Sequence, residues 1–239
     1  AALVSRSGSI DWLCWPRFDS PSVFSALLGT PKDGRWLIAP EDGTATVRRA
    51  YRPGTLVLET VFSCAEGEVA LIDFMLPEQP NSSVLRVVEG RRGRVGMQME
   101  LLMRFDYGAV VPWVTRLHDG SGLRAIAGPD MVVLRTTAPI HGRDMSTVAH
   151  FAVSEGQQMT FALQHGLGYD VPPPAIDVPA ALEATEAYWA AWTALGSYDG
   201  PHADVVHRSL ITLKAMTYAP SGGIVAAPTT SLPEQLGGP

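Results

Sequence analysis

The sequence predicts a mainly β protein, an antiparallel β-sandwich followed by helices. Three observations carry this prediction. Between residue 36 and about residue 165, short runs rich in β-branched and aromatic residues recur between Gly, Pro and Asp turn signals. In the stretch 95–105, apolar side chains occupy every second position, which is the spacing of a half-buried strand. Beyond residue 170 the apolar residues follow helical spacing instead.

The individual elements follow from local signals. Residues 3–15 are predicted to form two strands around the Ser7-Gly8-Ser9 turn. A short helix is predicted over 21–28, because Ser20 is a good N-cap and Pro21 suits the first helical position. We interpret Gly90–Gly93 as a hairpin turn with solvated arginines. The other strands are predicted at 55–63, 68–76, 84–88, 95–105, 112–118, 123–127, 131–136, 146–153 and 158–165.

The domain organisation is predicted from the change in pattern near residue 170. Residues 1–170 form the sandwich in this interpretation. Residues 171–201 are a linker, because Pro172-Pro173-Pro174 is stiff and extended and the stretch 180–195 has helical spacing. A second helix over 202–218 opens a further unit, residues 202–239. Both ends of the sequence look cut, so we expect a piece of a longer protein.

Composition excludes several classes of function. The 239 residues carry 18 basic and 24 acidic side chains, a formal net charge of −6. Nucleic acid is therefore an unexpected partner, because phosphate binding requires clustered Lys and Arg. Neither a signal peptide nor a membrane span is visible in these residues, and we expect a cytoplasmic protein.

Cofactor and metal chemistry are not expected either. Cys14 and Cys64 are too few and too isolated for a zinc site, and we expect two buried thiols rather than a disulfide. The six histidines do not show the spacing of a metal-binding motif. We therefore predict no cofactor and no bound metal.

One candidate sugar-binding stretch is Gly8–Phe24, where aromatic and charged residues alternate. Trp12 and Trp15 could stack on a pyranose ring, while Arg17 and Asp19 could bind its hydroxyl groups. The alternative is that both tryptophans pack in the core. Being three residues apart, the two rings point to opposite faces of a regular strand, so at most one stacks on a given ligand. Arg17 and Asp19 are left as a possible rim or interface of a site.

The second candidate lies near the end of the chain. Segment 228–234 holds prolines beside hydroxyl and carboxyl groups, which can present hydrogen bonds to a sugar. Its alternative interpretation is an ordinary connection between helices. The candidate substrate-binding residues are Thr229, Thr230, Ser231 and Glu234. No catalytic residue is assigned within this chain, because an acid pair could be invented from any of its 24 carboxylates.

Three parts of the chain resemble one family. ALVSRSGSIDWLCWPRFDSPSVFSALLG at the start resembles the beginning of bacterial glycoside hydrolase family 15, the glucoamylase-like and trehalase-like proteins. RFDYGAVVPWV and LRAIAGPDMVVLRT resemble the same domain further along. VVHRSLITLKAMTYAPSGGIVAAPTTSLPE resembles the first helix and the following loop of that family's catalytic (α/α)6 barrel.

The resemblance implies an N-terminal β-sandwich, a helical linker and the first helix of an otherwise missing (α/α)6 barrel. It implies inverting hydrolysis of α-glucosidic bonds, with both catalytic glutamates beyond residue 239, so this chain alone is predicted to be inactive. The partners it implies are an α-glucoside or trehalose as substrate and the rest of the catalytic domain. Trehalase and glucoamylase are not distinguished, although SIDWLCWPRFDSPSVF and PTTSLPE are typical of the trehalase-like group.

Two other functions remain open at this point. The sandwich could be a non-catalytic module that binds glucan or supports a neighbouring domain. It could also form a homo-oligomer through the faces of its sheets. Titration with maltooligosaccharides and the mass of the protein in solution discriminate between these readings.

Overall fold

A computed structural model describes residues 1–79, 81–196 and 198–229. Its strands are all antiparallel, which confirms the predicted fold class. The helices are α1 (Val178–Thr193) and α2 (Ala203–Ala215). The strands are β1 (Ala2–Val4), β2 (Ser9–Cys14), β3 (Ser22–Phe24), β4 (Arg35–Pro40), β5 (Thr46–Tyr51), β6 (Leu58–Cys64), β7 (Gly67–Met75), β8 (Ser83–Leu102), β9 (Trp113–Arg116), β10 (Gly122–Ala127), β11 (Asp130–Thr136), β12 (His141–Arg143), β13 (Ser146–Ser154), β14 (Gln158–Leu167), β15 (Thr217–Tyr218) and β16 (Gly223–Ile224).

The strands form two layers that share β8. The first layer has the order β1-β2-β4-β8-β13-β12, with β3 added to β2. The second layer has the order β5-β6-β7-β8-β14-β11-β10-β9. The first half of β8 pairs with β7 and β14, and the second half pairs with β4 and β13. The chain therefore passes from one layer to the other within a single strand.

The predicted hairpin turn at Gly90–Gly93 is wrong, because β8 continues through it. Gly93 has φ +64°, and a Cβ atom there would lie 2.2 Å from the carbonyl oxygen of Glu66. A Cβ atom on Gly90 would lie 2.1 Å from the carbonyl oxygen of Ser154. The two glycines let the strand bend while neighbouring backbone stays close on both sides. Arg91 and Arg92 are solvent-exposed, as expected.

The core lies between the two layers and includes the alternating stripe of β8. The stripe residues 95, 97, 99, 101, 103 and 105 are all buried, which confirms the period-two interpretation. Arg86 is also fully buried in this core. Its guanidinium donates to Asp73 at 2.7 Å and to the carbonyl oxygens of Trp36 and Gly8. The buried charge is thus paired and hydrogen-bonded, as burial requires.

The helix predicted over residues 21–28 is wrong. Ser22–Phe24 pairs with β2 instead, and only Ala26–Leu28 forms a 3₁₀ turn. Val23 and Phe24 are buried in the sheet, whereas Leu27 and Leu28 are exposed, so no apolar helix face exists. The pairing of a Val-Phe run with a neighbouring strand outweighs the Ser-Pro helix-start signal.

Both helices pack on the second layer. The side chain of Asp177 accepts a hydrogen bond from the Ala180 N–H and caps α1. Val178, in the first turn of α1, is buried in a second hydrophobic cluster on the outer face of this layer. The guanidinium of Arg208 in α2 donates to the carbonyl oxygen of Thr55 at 2.7 Å. The helices match the predicted positions, except that the last turn of the second one is replaced by β15. Within the described residues, neither helix is long and apolar enough to cross a membrane.

Candidate functional site

Arg17 and Asp19 lie at one end of the sandwich, which we call the junction end. It is defined by the loop Pro16–Ser20, by Glu78, by Ser82, which precedes β8, and by the hairpin of β15 and β16. The hydroxyl of Ser82 donates to the carbonyl oxygen of Pro16 at 3.2 Å, which fixes the loop beside β8. The loop, the sheet and the helical part of the chain meet at this end.

Arg17 and Asp19 form a bidentate ion pair in this loop. The Nε and Nη2 atoms of Arg17 donate to the two carboxylate oxygens of Asp19 at 2.8 and 2.7 Å. The hydroxyl of Ser20 accepts from the backbone N–H of Arg17, which closes the turn. The hydrogen bond from Arg17 lowers the pKa of Asp19, and the same bond raises the pKa of Arg17. Both side chains are more than half exposed, so the pair remains open to a ligand or a partner surface.

The Arg17 guanidinium also lies over the ring of Tyr218, 5.9 Å from its centroid. Tyr218 belongs to β15, which pairs with β16 in a short hairpin. The hairpin leads into the predicted substrate-binding segment, whose first candidate, Thr229, is partly buried. Thr230, Ser231 and Glu234 lie outside the described residues. The loop therefore contacts the element that precedes these candidates.

The two tryptophans of Gly8–Phe24 are both buried, so neither presents a ring to a sugar. Trp15 belongs to the core between the layers and lies edge-on to His165, with ring centroids 6.3 Å apart. Trp12 is fully buried against Tyr107, 6.0 Å between centroids. The core interpretation of these residues is confirmed for both rings. The register of β2 against β3 shifts between Leu13 and Cys14, and both faces of this segment are covered.

Sequence reasoning missed a polar cluster that joins the sandwich to both helices. The hydroxyl of Tyr188 in α1 donates to the carboxylate of Glu78 at 3.1 Å. The ammonium of Lys214 in α2 lies 3.5 Å from the same carboxylate. The cluster borders a cavity of about 370 Å³ that Phe18 also lines. No local pattern could reveal the cluster, because its three members come from separate parts of the chain.

Three carboxylates are held by neighbouring cations. Asp19 is bound by Arg17, Glu78 by Lys214 and Asp73 by the buried Arg86. Asp11 accepts a hydrogen bond from the hydroxyl of Ser9. These bonds hold segments of the chain together. The described residues contain no group of three potential metal ligands.

A solved structure shares this fold. A bacterial glucoamylase solved in complex with acarbose superposes on 88% of this chain with a TM-score of 0.55 and 11% sequence identity. The matched region is 38% of the glucoamylase chain. At this identity the comparison shows a shared fold.

The sequence then defines the family. Residues 1–189 match the trehalase-like, N-terminal family, and the chain belongs to it. A trehalase of Mycolicibacterium smegmatis is 30% identical over 97% of this chain and 38% of its own length. A trehalase of Thermoplasma volcanium is 29% identical over 100% of this chain and 39% of its own length. The chain therefore spans about two fifths of these relatives.

Proposed function

We propose that this chain is the amino-terminal part of an inverting glycoside hydrolase of family 15 that acts on α-glucosidic bonds. In this proposal residues 1–170 are the sandwich, residues 171–201 are the linker, and residues 202–239 open an (α/α)6 catalytic barrel. The two catalytic glutamates belong to the barrel beyond residue 239. One protonates the leaving oxygen, and the other activates a water molecule on the opposite face of the sugar.

The match of residues 1–189 to the trehalase-like family carries the proposal. The similar proteins named trehalases favour trehalose as the substrate. The glucoamylase fold similarity is compatible with a related α-glucoside, since both substrates present a nonreducing α-glucosyl unit.

The surface of α2 supports its place in a helical barrel. Ile211 is the buried residue of this helix, whereas Val205, Leu210 and Leu213 are 65%, 38% and 46% exposed. A helix that is apolar on more than one side requires other helices around it. The following helices of a barrel would cover these side chains.

The junction end supports the proposed substrate contacts. Thr229, Thr230, Ser231 and Glu234 are proposed to bind the sugar hydroxyls, and Arg17 with Asp19 is proposed to border the same site. The observation behind this placement is the contact between Arg17 and Tyr218, because the hairpin of Tyr218 leads directly to Thr229.

The reaction is tested on the full-length protein with trehalose, maltose and maltotriose, and with β-linked cellobiose as the control. Proton NMR follows the first glucose released. Inversion predicts one β-glucose, from the attacked unit, and one α-glucose, from the leaving unit, for each trehalose; it predicts β-glucose from the nonreducing unit of maltose and maltotriose, and cellobiose should give no product. Two α-glucose molecules per trehalose, or α-glucose from the nonreducing unit of maltotriose, would contradict inversion, and the absence of glucose from every α-linked substrate contradicts the hydrolase assignment.

The rim assignment is tested by Arg17→Ala and Asp19→Ala in the full-length enzyme. We expect a higher KM with each variant, because a group at the rim contributes to substrate binding. Arg49→Ala, an exposed arginine on β5, is the matched control and should leave KM unchanged. Lower stability with normal turnover and KM per folded molecule would assign the loop to structure alone.

A further inference from the structure

Exposed apolar side chains are concentrated at one corner of the sandwich. Trp113 is 77% exposed and Met145 is 69% exposed. Together with Val111 and Val114 they line a groove of about 470 Å³ between β9 and the turn that joins β12 to β13. Two more exposed residues, Tyr107 and Val110, precede them in the chain. We call these six residues the Trp113 surface. Val111, Trp113, Val114 and Met145 share one groove, and an exposed apolar surface of this kind marks an interaction site.

The backbone presents this surface in a fixed geometry. Asp106, Tyr107 and Gly108 have φ values of 50°, 55° and 95°, so three successive residues are left-handed. A backbone pair between Phe105 and Val110 closes the turn. The hydroxyl of Ser22 accepts from the Tyr107 N–H at 3.1 Å. Left-handed non-glycine residues cost free energy, and they persist where the surroundings hold them at a functional position.

The Trp113 surface lies at the junction end. Trp113 pairs with Ile126 at the end of β10, and Asp130, at the start of the next strand, pairs with Leu167 at the end of β14. Ser83 at the start of β8 pairs with Gln164 near the end of β14. The start of β8 therefore lies at the same end of the layer. Ser82 precedes β8 and holds the loop of Arg17 there. Loops from both layers therefore share one end with the helical part of the chain.

We propose that the Trp113 surface is a docking surface for the catalytic helical domain of the same polypeptide. The inference rests on the proposed function, because it requires the domain that α2 begins. Three contacts already join this end to the helical part: Arg17 with Tyr218, Glu78 with Lys214, and Glu78 with Tyr188. The Trp113 surface lies at the same end of the sandwich as these contacts. The similar trehalases are also long enough to supply a domain beyond α2, since the chain covers 38% and 39% of their lengths.

The chemistry of the surface favours a protein over a sugar as its occupant. The groove presents Val111, Val114 and Met145 around the Trp113 ring, and such aliphatic side chains match an apolar protein surface. Arg104, Arg143 and Asp144 also line the groove. The covering helices should therefore present apolar residues to the apolar part of the groove and charged or polar residues opposite these three side chains.

The test uses two positions at opposite ends of β13. Met145→Cys places a thiol in the Trp113 surface, and Glu155→Cys places a matched thiol in the exposed turn after β13. In the monomeric full-length protein, a maleimide should modify the Met145→Cys thiol at least about tenfold more slowly, because the docked domain must open first. Equal rates would overturn the proposal.

The same measurement distinguishes two other possible occupants of the surface, a second copy of the protein and a glucan. Protection that disappears when dilution converts a dimer to monomers, followed by light scattering, would assign the surface to a second copy. Protection that requires added maltoheptaose would assign it to a glucan. Either result overturns docking of the catalytic domain. If a cysteine variant fails to fold, hydroxyl-radical footprinting of the unmodified protein gives the same answer, with Trp113 protected or oxidised.

Activity of the same preparations separates this inference from the proposed function. Glucose release from trehalose or maltotriose together with a fully reactive Met145→Cys thiol would refute the docking surface alone. A protected thiol without hydrolysis of any α-glucoside would refute the hydrolase assignment and leave the docking surface in place.

Discussion

Removal of the buried Arg86 guanidinium should be the most destabilising single change that this sandwich offers. Arg86 is fully buried, and its partner Asp73 is 4% exposed. The guanidinium joins three strands, because it binds Asp73 on β7, the Trp36 carbonyl on β4 and the Gly8 carbonyl before β2. It also lies 4.9 Å from the Trp36 ring centroid. Arg86→Met keeps most of the volume and removes every one of these bonds.

The expected loss of unfolding free energy follows from the Asp73 carboxylate that remains buried in the variant. Without Arg86 the Asp73 carboxylate is buried alone, and breaking a buried pair in this way costs about 3–5 kcal/mol. The Gly8 carbonyl oxygen still accepts a hydrogen bond from the Ile38 N–H, so it is not left without a partner when Arg86 is removed. Domains of this kind are stable by about 5–15 kcal/mol, so the variant should lose a large fraction of its free energy of unfolding.

A double-mutant cycle identifies the cause. Arg86→Met, Asp73→Leu and the double variant are compared by urea unfolding of the full-length protein, followed by the fluorescence of the buried tryptophans. The double variant removes both charges, so it should be more stable than Arg86→Met alone. Arg48→Met removes an exposed guanidinium, 3.7 Å from Glu68 and 74% exposed, and serves as the control.

Two outcomes would contradict this reasoning. The first is an Arg86→Met variant that unfolds at the same urea concentration as the Arg48→Met control. The second is a double variant whose loss of unfolding free energy equals the sum of the single losses, since that result removes the coupling between the two charges.

Two further predictions concern the turn before β2 and the junction end. Gly8→Ala should destabilise the protein by about 2 kcal/mol or more in thermal unfolding, because φ is +81° and the new Cβ would lie 2.2 Å from the Ile38 carbonyl oxygen. The control Gly120→Ala has φ +73° but open space around the new Cβ, so it should destabilise the protein less. Because the pKa of Asp19 is lowered, its ion pair stabilises the folded loop at pH values above the ordinary carboxyl pKa, and this stabilisation is lost as pH falls through the lowered pKa. In the Arg17→Ala variant, a carbon-13 NMR titration should give an ordinary pKa for Asp19. A pKa that is the same in the variant and the original protein would contradict the pairing.

Local patterns predicted the parts of the fold that local physics determines. The alternation of Met97, Met99 and Met103 identified a half-buried strand, because side-chain direction within a strand depends only on position. The burial of these residues confirms that interpretation.

The predictions that were wrong concern segments whose structure is determined by residues distant in the chain. Gly90 and Gly93 carry a turn signal, yet the bend of β8 is set by Glu66 and Ser154, which come from other parts of the chain. Pro21 suggested a helix start, but the following residues pair with β2. The contact of Arg17 with Tyr218 joins residues two hundred positions apart, so neither its existence nor its place in the site could follow from a local pattern.

The contacts at the junction end support the proposed place of the sandwich beside a substrate site. Arg17 holds Asp19 and covers the Tyr218 ring, while Glu78 binds Tyr188 and Lys214 from the two helices. Each contact ties the helical part to a strand end that the core fixes. Hydrolysis with inversion requires two carboxyl groups at a set separation across the bond, and small displacements between them slow the reaction. The proposed role of the sandwich is therefore mechanical: it fixes the first helix and the hairpin from which the barrel continues.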